Sequence, residues 1–502
     1  MRRFLSILAA GTVALQMLLG PVHAEAPVKP VQAAKEDATR ALPADSITRH
    51  DIGGHGGRLA YTATAGSIPL VDDKGTVTAR VFYTAYVLDR RDAGRPVTFV
   101  FNGGPGAASA FLHLGALGPR TINFTANGAA PVQPVQLADN PDTWIGFTDL
   151  VFIDPPGTGF SRATAGDEEA KDLFYGPETD ADAMADFARL YLARNGRSLG
   201  PVFLVGESYG GFRAVLVAKR LLRSGIQVKG AILISPLLER RVTFGNQYSP
   251  IPHALRLPSI AAANMELRTG NEAPLDFLGE VEQFTFGRYI PHLVAGSASQ
   301  DSGIGAELAR FTGLDQEVLA RHQNRVSFSL FTDEYQKRND RLVSRYDGAI
   351  SVPGPKPADE APFDPILDGA VSVLTPAMVQ YAAEELGFRT DLPYLLLNRN
   401  ISQIWDRGGN NRDAGALDDL EEARTQNPAL RVLIVHGYTD LVTTYSASRY
   451  LMVQLRPIEG AEPVKLKVYR GGHMMYMRPA SRRQLQDDAR ELYRSVIAPA
   501  PR

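Results

Sequence analysis

Serine, aspartate and histidine can together pass a proton to and from a reacting oxygen, and each stands in this chain beside glycines. In LVGESYGGF, Ser208 follows the apolar run 202–205 and has Gly206 and Gly210 two residues away on either side. An apolar strand, G-x-S-x-G and then the helix-compatible residues 212–222 describe a sharp strand-to-helix turn that lifts a nucleophilic serine clear of a sheet. The competing reading is an ordinary strand-to-helix loop. The turn would also put the backbone N–H of Tyr209 at a helix N-terminus, where an oxyanion could form.

A serine hydroxyl needs a base, and the base needs an orienting acid. In this architecture they follow in the order serine, acid, histidine. Asp440 lies beyond the apolar run 432–435 in HGYTD, and His473 lies beyond the run 464–469 in RGGHMM. His436, His113, His253 and His292 fit less well, as strand-end, helical or inserted-segment residues. A second glycine turn, FVFNGGPG at 99–106, follows another apolar strand and exposes backbone N–H groups of the kind a second oxyanion donor needs. It lacks the G-K-[ST] or G-x-G-x-x-G pattern of a phosphate cradle. With no H-E-x-x-H or related cluster, neither a catalytic metal nor a cofactor is expected.

These residues must be carried by a sheet. Apolar runs at 96–101, 150–153, 202–205, 231–234, 432–435 and 464–469 suit strands buried on both faces. Helix-like stretches at 178–194, 211–223 and 415–425 alternate with them, which predicts a mostly parallel α/β sheet. Alternating segments over 48–88 predict antiparallel strands ahead of it. Between 234 and 432 the strand rhythm stops. Residues 241–400, with helical stretches at 276–321 and 376–386, are expected to form an inserted helical cap between two parts of one sheet domain, 46–240 and 401–502.

The chain has 502 residues, 44% of them hydrophobic, a net charge of -2 and no cysteine. No basic stripe suggests a nucleic-acid partner. Arg2 and Arg3, the apolar run 4–19 and the small residues around Ala24 read as a signal peptide over 1–24, followed by a flexible leader over 25–45. The run is shorter than the roughly 20 residues of a membrane span. The mature protein is expected without a membrane span, in a periplasm or outside the cell, with no disulfides to brace it.

With its motifs assembled, the sequence resembles the serine carboxypeptidase family of α/β-hydrolases. The resemblance rests on FNGGPGAAS (101–109), NPDTW (140–144), DLVFIDPPGTGFS (149–161), GESYGG (206–211), HGYTD (436–440) and GGHMM (471–475). It implies an α/β-hydrolase fold and hydrolysis at a free peptide C-terminus. Ser208 would be the nucleophile, His473 the general base and Asp440 its orienter, with oxyanion donors at Gly104 and Tyr209. Asn102, the Gly103 N–H and Glu207 would hold the substrate's terminal carboxylate. Beside that carboxylate Glu207 must carry a proton, which predicts better binding below neutral pH. The competing reading of Glu207 is a solvated or ion-paired acid.

Two positions depart from the family pattern. Ala116 stands where the family commonly has a glutamate that pairs with the acid ahead of the serine, so the acid preference would be milder. Ala107 replaces the family's cysteine. An esterase or acyltransferase using the same three residues is a second reading, and a peptide-binding protein that no longer turns over is a third. For the walls of the cleft the sequence offers only Trp405, Asp406 and Tyr248 as candidates.

Overall fold

The computed structural model describes residues 42–497 except 55–56, 91, 93, 133, 165, 355–362 and 407–414. The expected signal peptide, and the leader as far as residue 41, lie outside the described residues.

Nine strands form the spine of a ten-stranded sheet: β1 (Ser46–Gly54), β2 (Gly57–Val71), β3 (Val77–Leu88), β4 (Val97–Phe101), β5 (Asp149–Ile153), β6 (Val202–Glu207), β7 (Val228–Ile234), β8 (Arg431–Gly437) and β9 (Lys465–Tyr469). Their order across the sheet is β1-β2-β3-β5-β4-β6-β7-β8-β9, and the two-residue strand Arg162–Ala163 pairs with β3. β1 to β3 form an antiparallel meander that joins β5 antiparallel. From β5 to β9 every neighbour is parallel. Five of the six apolar runs thus become parallel strands covered on both faces, whereas the run 464–469 forms the edge strand β9, in which residues 465 and 467 are exposed.

The coverage is visible residue by residue. Phe99, Phe101, Val151, Ile153, Val202 and Leu204 pack on one face, with helices α1 (Pro177–Arg194) and α2 (Tyr209–Arg223). Val100, Leu150, Phe152, Phe203 and Val205 pack on the other, with α4 (Leu367–Glu384) and α5 (Pro479–Val496). Alternate residues of one strand therefore feed two cores.

The segment between β7 and β8 divides in two. Residues of α3 (Pro250–Thr269) and of the helical stretch to 339 enclose a core of their own, including Leu257, Ile260, Val281, Phe311 and Leu319. α4 instead packs Ile366, Val373, Leu374 and Met378 into the core of the sheet. Between them the short strands Arg341–Val343 and Ser351–Pro353 form a hairpin. Among the described residues no helix is long and apolar enough to cross a membrane.

Parallel strands end at one edge of a sheet. Glu207 is level with Ile234, Ile234 with Val435, and Gly437 with Tyr469, while Phe101 of β4 is level with Gly206. The loops that carry residues 102–104, 208, 440 and 473 consequently leave the sheet side by side, where ligands bind in open α/β sheets.

A buried ion pair ties two of these loops together. Arg213 of α2 is 1% exposed and gives Nε to Asp180 of α1 at 2.7 Å and Nη1 to the carbonyl of Asn102 at 2.6 Å. Asp180 also accepts the Tyr209 hydroxyl at 3.0 Å. Removing the acid would strand a buried guanidinium, which costs about 3–5 kcal/mol in such settings. Asp180→Ala is expected to lower the unfolding free energy by about that amount in urea denaturation. A loss below about 1 kcal/mol would mean that Arg213 reaches water.

Candidate active site

The turn at Ser208 is as sharp as its glycines require. Ser208 has φ 58 and ψ -123, a region that L-residues rarely occupy. A Cβ on Gly206 would stand 1.9 Å from the carbonyl oxygen of Gly210, so a side chain there is impossible. The Ser208 amide donates to Ile234 at 2.9 Å, and its carbonyl accepts from Gly211 and Leu237. The next residue, Tyr209, opens α2, and the amide of a first helical residue has no acceptor within the helix.

The first glycine loop lies against this turn. A Cβ on Gly103 would be 2.6 Å from the Glu207 carbonyl oxygen and 2.7 Å from the Tyr209 nitrogen. Gly104, φ 100, follows on the cavity side. Gly103, Gly104, Glu207, Ser208, Tyr209 and His473 line one cavity. Phe111, Phe212, Leu237, Phe244, Tyr346, Leu397, Trp405 and Met474 give it mainly apolar walls, with Arg240 among them. Of the wall candidates, Trp405 belongs to this cavity, whereas Tyr248 is 75% exposed elsewhere.

Asp440 and His473 meet under the cavity floor. His473 Nδ1 is 2.9 Å from Asp440 Oδ2, and both residues are buried. Asp440 also accepts the amides of Val442 and Thr443, at 2.8 and 3.0 Å, and the Thr443 hydroxyl at 3.0 Å. With Nδ1–H directed at a carboxylate, the neutral ring keeps its lone pair on Nε2, the nitrogen a base needs. No hydrogen bond joins the Ser208 hydroxyl to that ring among the described residues, although both face the cavity. Such contacts commonly tighten only when substrate is bound.

Two residues near this pair gave no signal in the sequence beyond nearness to a motif. Thr443, three residues after Asp440, also lies 3.1 Å from His473 Nδ1 and donates to the carbonyl of Ser235. Tyr346, from the hairpin before α4, accepts the His473 amide at 2.5 Å and sets its ring edge-on to the imidazole, centroids 5.3 Å apart. The other histidines are occupied elsewhere. His436 is buried at the end of β8 on Ser448, its ring pushed down to about 4 by burial. His113 is bonded to Tyr86 and pushed down to about 3 for the same reason. His253 meets a carbonyl, and His292 meets Ser299 and Asn324.

Glu207 is 5% exposed and is neither solvated nor ion-paired with a basic side chain. Asn102 Nδ2 donates to its Oε2, and the Tyr476 hydroxyl donates to Oε1 at 2.8 Å. Asn102 is itself held, since its Oδ1 accepts the amide of Leu112 at 3.1 Å. Burial raises the Glu207 carboxyl above the ordinary glutamate value, against the opposing pull of His473, Tyr476 and Asn102. Ala116, where the family resemblance places a second acid, is buried in the helical turn His113–Leu117. Among the described residues no cluster of three or more His, Cys, Asp or Glu side chains could hold a metal ion.

Burial alone would depress the His473 ring. The charge and hydrogen bond of Asp440, followed by the charge of Glu207, outweigh it and hold the ring above its ordinary value. An NMR titration of the His473 ring nitrogens is therefore expected to give a pKa above 6.5. In Asp440→Asn it should fall below 6.5, because burial stays while the largest raising influence is gone. An unchanged value would mean that the pair is not coupled.

A buried imidazole–carboxylate pair and a serine facing one cavity are groups that can carry acyl transfer. Residues 63–249 match the sequence model of the serine carboxypeptidase family. Serine carboxypeptidase-like 44 of Arabidopsis thaliana is 29% identical over 173 residues, 32% of this chain and 33% of the relative. The pheromone-processing carboxypeptidase KEX1 of Komagataella phaffii is 32% identical over 167 residues, 32% of this chain and 24% of the relative. The matched stretch thus spans a third or less of these curated relatives. The fold is similar to the crystal structure of Kex1(delta)p, a prohormone-processing carboxypeptidase from Saccharomyces cerevisiae. That likeness has a TM-score of 0.55 at 16% identity and covers 86% of this chain and 92% of the other. The chain has an α/β-hydrolase fold and, over residues 63–249, is similar to the serine carboxypeptidase family.

Proposed function

We propose that this protein is a serine carboxypeptidase that removes the last residue of a peptide through an acyl-enzyme on Ser208. The observation that carries the reading is the pair Asn102–Glu207, a buried amide and acid bonded to each other and set directly before the serine. Ester hydrolysis as such makes no use of a proton-donating acid at that place. A peptidase that must hold a terminal carboxylate does, because a protonated Glu207 can donate to it while an ionised one repels it.

In this reading the terminal carboxylate lies against Asn102, the Gly103 N–H and protonated Glu207. The carbonyl of the last peptide bond then points its oxygen at the Gly104 and Tyr209 N–H groups. Ser208 Oγ attacks the carbon and passes its proton to His473 Nε2. His473 returns that proton to the leaving amine as the carbon–nitrogen bond breaks, and Asp440 stabilises the intervening imidazolium. The freed amino acid departs. Water, deprotonated by the same ring, then attacks the acyl-enzyme and restores Ser208. No metal or cofactor takes part in these steps. The partner is a peptide with a free C-terminus, and the basic, apolar and small-residue pattern of residues 1–24 supports export.

A blocked dipeptide with a free terminal carboxylate is expected to be cleaved far better than its amide below neutral pH, with the preference shrinking as Glu207 ionises. Ser208→Ala should abolish turnover and fluorophosphonate labelling while the protein stays folded. Asp440→Asn should cost on the order of ten-thousandfold in kcat. Equal rates on free acid and amide at every pH would replace this reading with an esterase or acyltransferase. A folded wild type that does not label would point to a binding protein.

A further inference from the structure

The acid ahead of the serine is held by a residue that the motifs do not mark. Tyr476 stands three residues after His473 and is fully buried, and its hydroxyl donates to Glu207 Oε1 at 2.8 Å. Its ring packs against the helical turn His113–Leu117: a Cβ on Gly115 would be 3.3 Å from Cε2. Ala116 follows in that turn, at the place where family resemblance leads one to expect a second carboxyl group. The chain has a small residue there and a phenol against Glu207.

The exchange reverses the electrostatic effect on Glu207. Two neighbouring carboxyl groups share a proton and push one another's ionisation upward. A phenol that stays protonated donates to the ionised form and so favours it. Tyr476 does stay protonated, since burial and the nearby acid hold it well above its ordinary value. The other groups facing Glu207 are the His473 ring, which also favours ionisation, Asp440, which opposes it, and Tyr346, a phenol kept neutral by burial. The amide of Asn102 completes the shell.

We propose that Tyr476 is the positioning residue that sets the pH at which Glu207 gives up its proton, and with it the pH above which a terminal carboxylate is no longer held. The inference rests on the carboxypeptidase reading. It assigns Tyr476 no contact with substrate.

The test is KM against pH for a blocked dipeptide with a free carboxylate, with its amide as reference. In the wild type KM for the free acid rises as Glu207 ionises. In Tyr476→Phe that rise should begin about one to two pH units higher, the worth of one hydrogen bond to a charged group. The low-pH KM and kcat should stay within about twofold, and the amide should show no shift. Replacing Tyr476 by 3-fluorotyrosine, a stronger donor of nearly the same shape, should move the rise to lower pH.

A KM raised at every pH in Tyr476→Phe would make the phenol a substrate contact and overturn the proposal, as would profiles unmoved in both variants. If Tyr476→Phe does not fold, the fluorotyrosine protein decides alone: a downward shift supports the role and no shift refutes it. A wild type that does not prefer the free acid to the amide refutes the carboxypeptidase reading itself, before any variant is made.

Discussion

The backbone of Ser208, held at a positive φ between a buried strand and a buried helix, is the constraint on which the site depends. That conformation is unfavourable for a residue with a side chain and persists only where the surroundings over-determine it. Here they do. The serine's amide and carbonyl are both bonded, Gly206 and Gly210 let strand and helix meet without side chains, and the Gly103 loop closes on the turn from β4. The Asp180–Arg213 pair then reaches from α1 through α2 to the carbonyl of Asn102. The two glycine turns are in this way one rigid unit, and the cavity is built on it.

Electrostatics give that unit its chemical character. Two acids, Glu207 and Asp440, and one imidazole lie buried together; Asp440 and Glu207 raise the His473 ring, and the ring opposes the burial that raises Glu207. Interacting groups of this kind titrate as a set, so an apparent pKa measured there belongs to the cluster. Asp440 accepts the amides of Val442 and Thr443 and lies against Nδ1 of the His473 ring. Glu207 has only neutral donors, Asn102 and Tyr476, and burial holds its carboxyl above the ordinary glutamate value. A proton on Glu207 removes one of the charges that hold the His473 ring up.

Most parallel strands were readable in the sequence because burial on both faces leaves continuous apolar runs at 96–101, 150–153, 202–205, 231–234 and 432–435. The run 464–469 instead lies at the sheet edge with one face exposed. The serine turn was readable because strand, glycines and helix lie within twenty residues. The region between β7 and β8 was not. Its helices at 250–339 enclose a separate core, whereas α4 completes the core of the sheet. Amphipathic helices record that they have an apolar face and not which surface that face meets.

From local order alone, the chain determines that its acyl-transfer motifs sit at strand ends and that a serine, an acid and a histidine follow in the order such an architecture uses. Only the tertiary structure decided that Tyr346 braces His473, that Thr443 bridges the Asp440–His473 pair and that Tyr476 caps Glu207. These contacts join residues 127, 30 and 269 positions apart, in that order, across separate loops. Patterns of period two or 3.6 encode which face a residue takes, whereas a partner reached through the fold leaves no periodic trace.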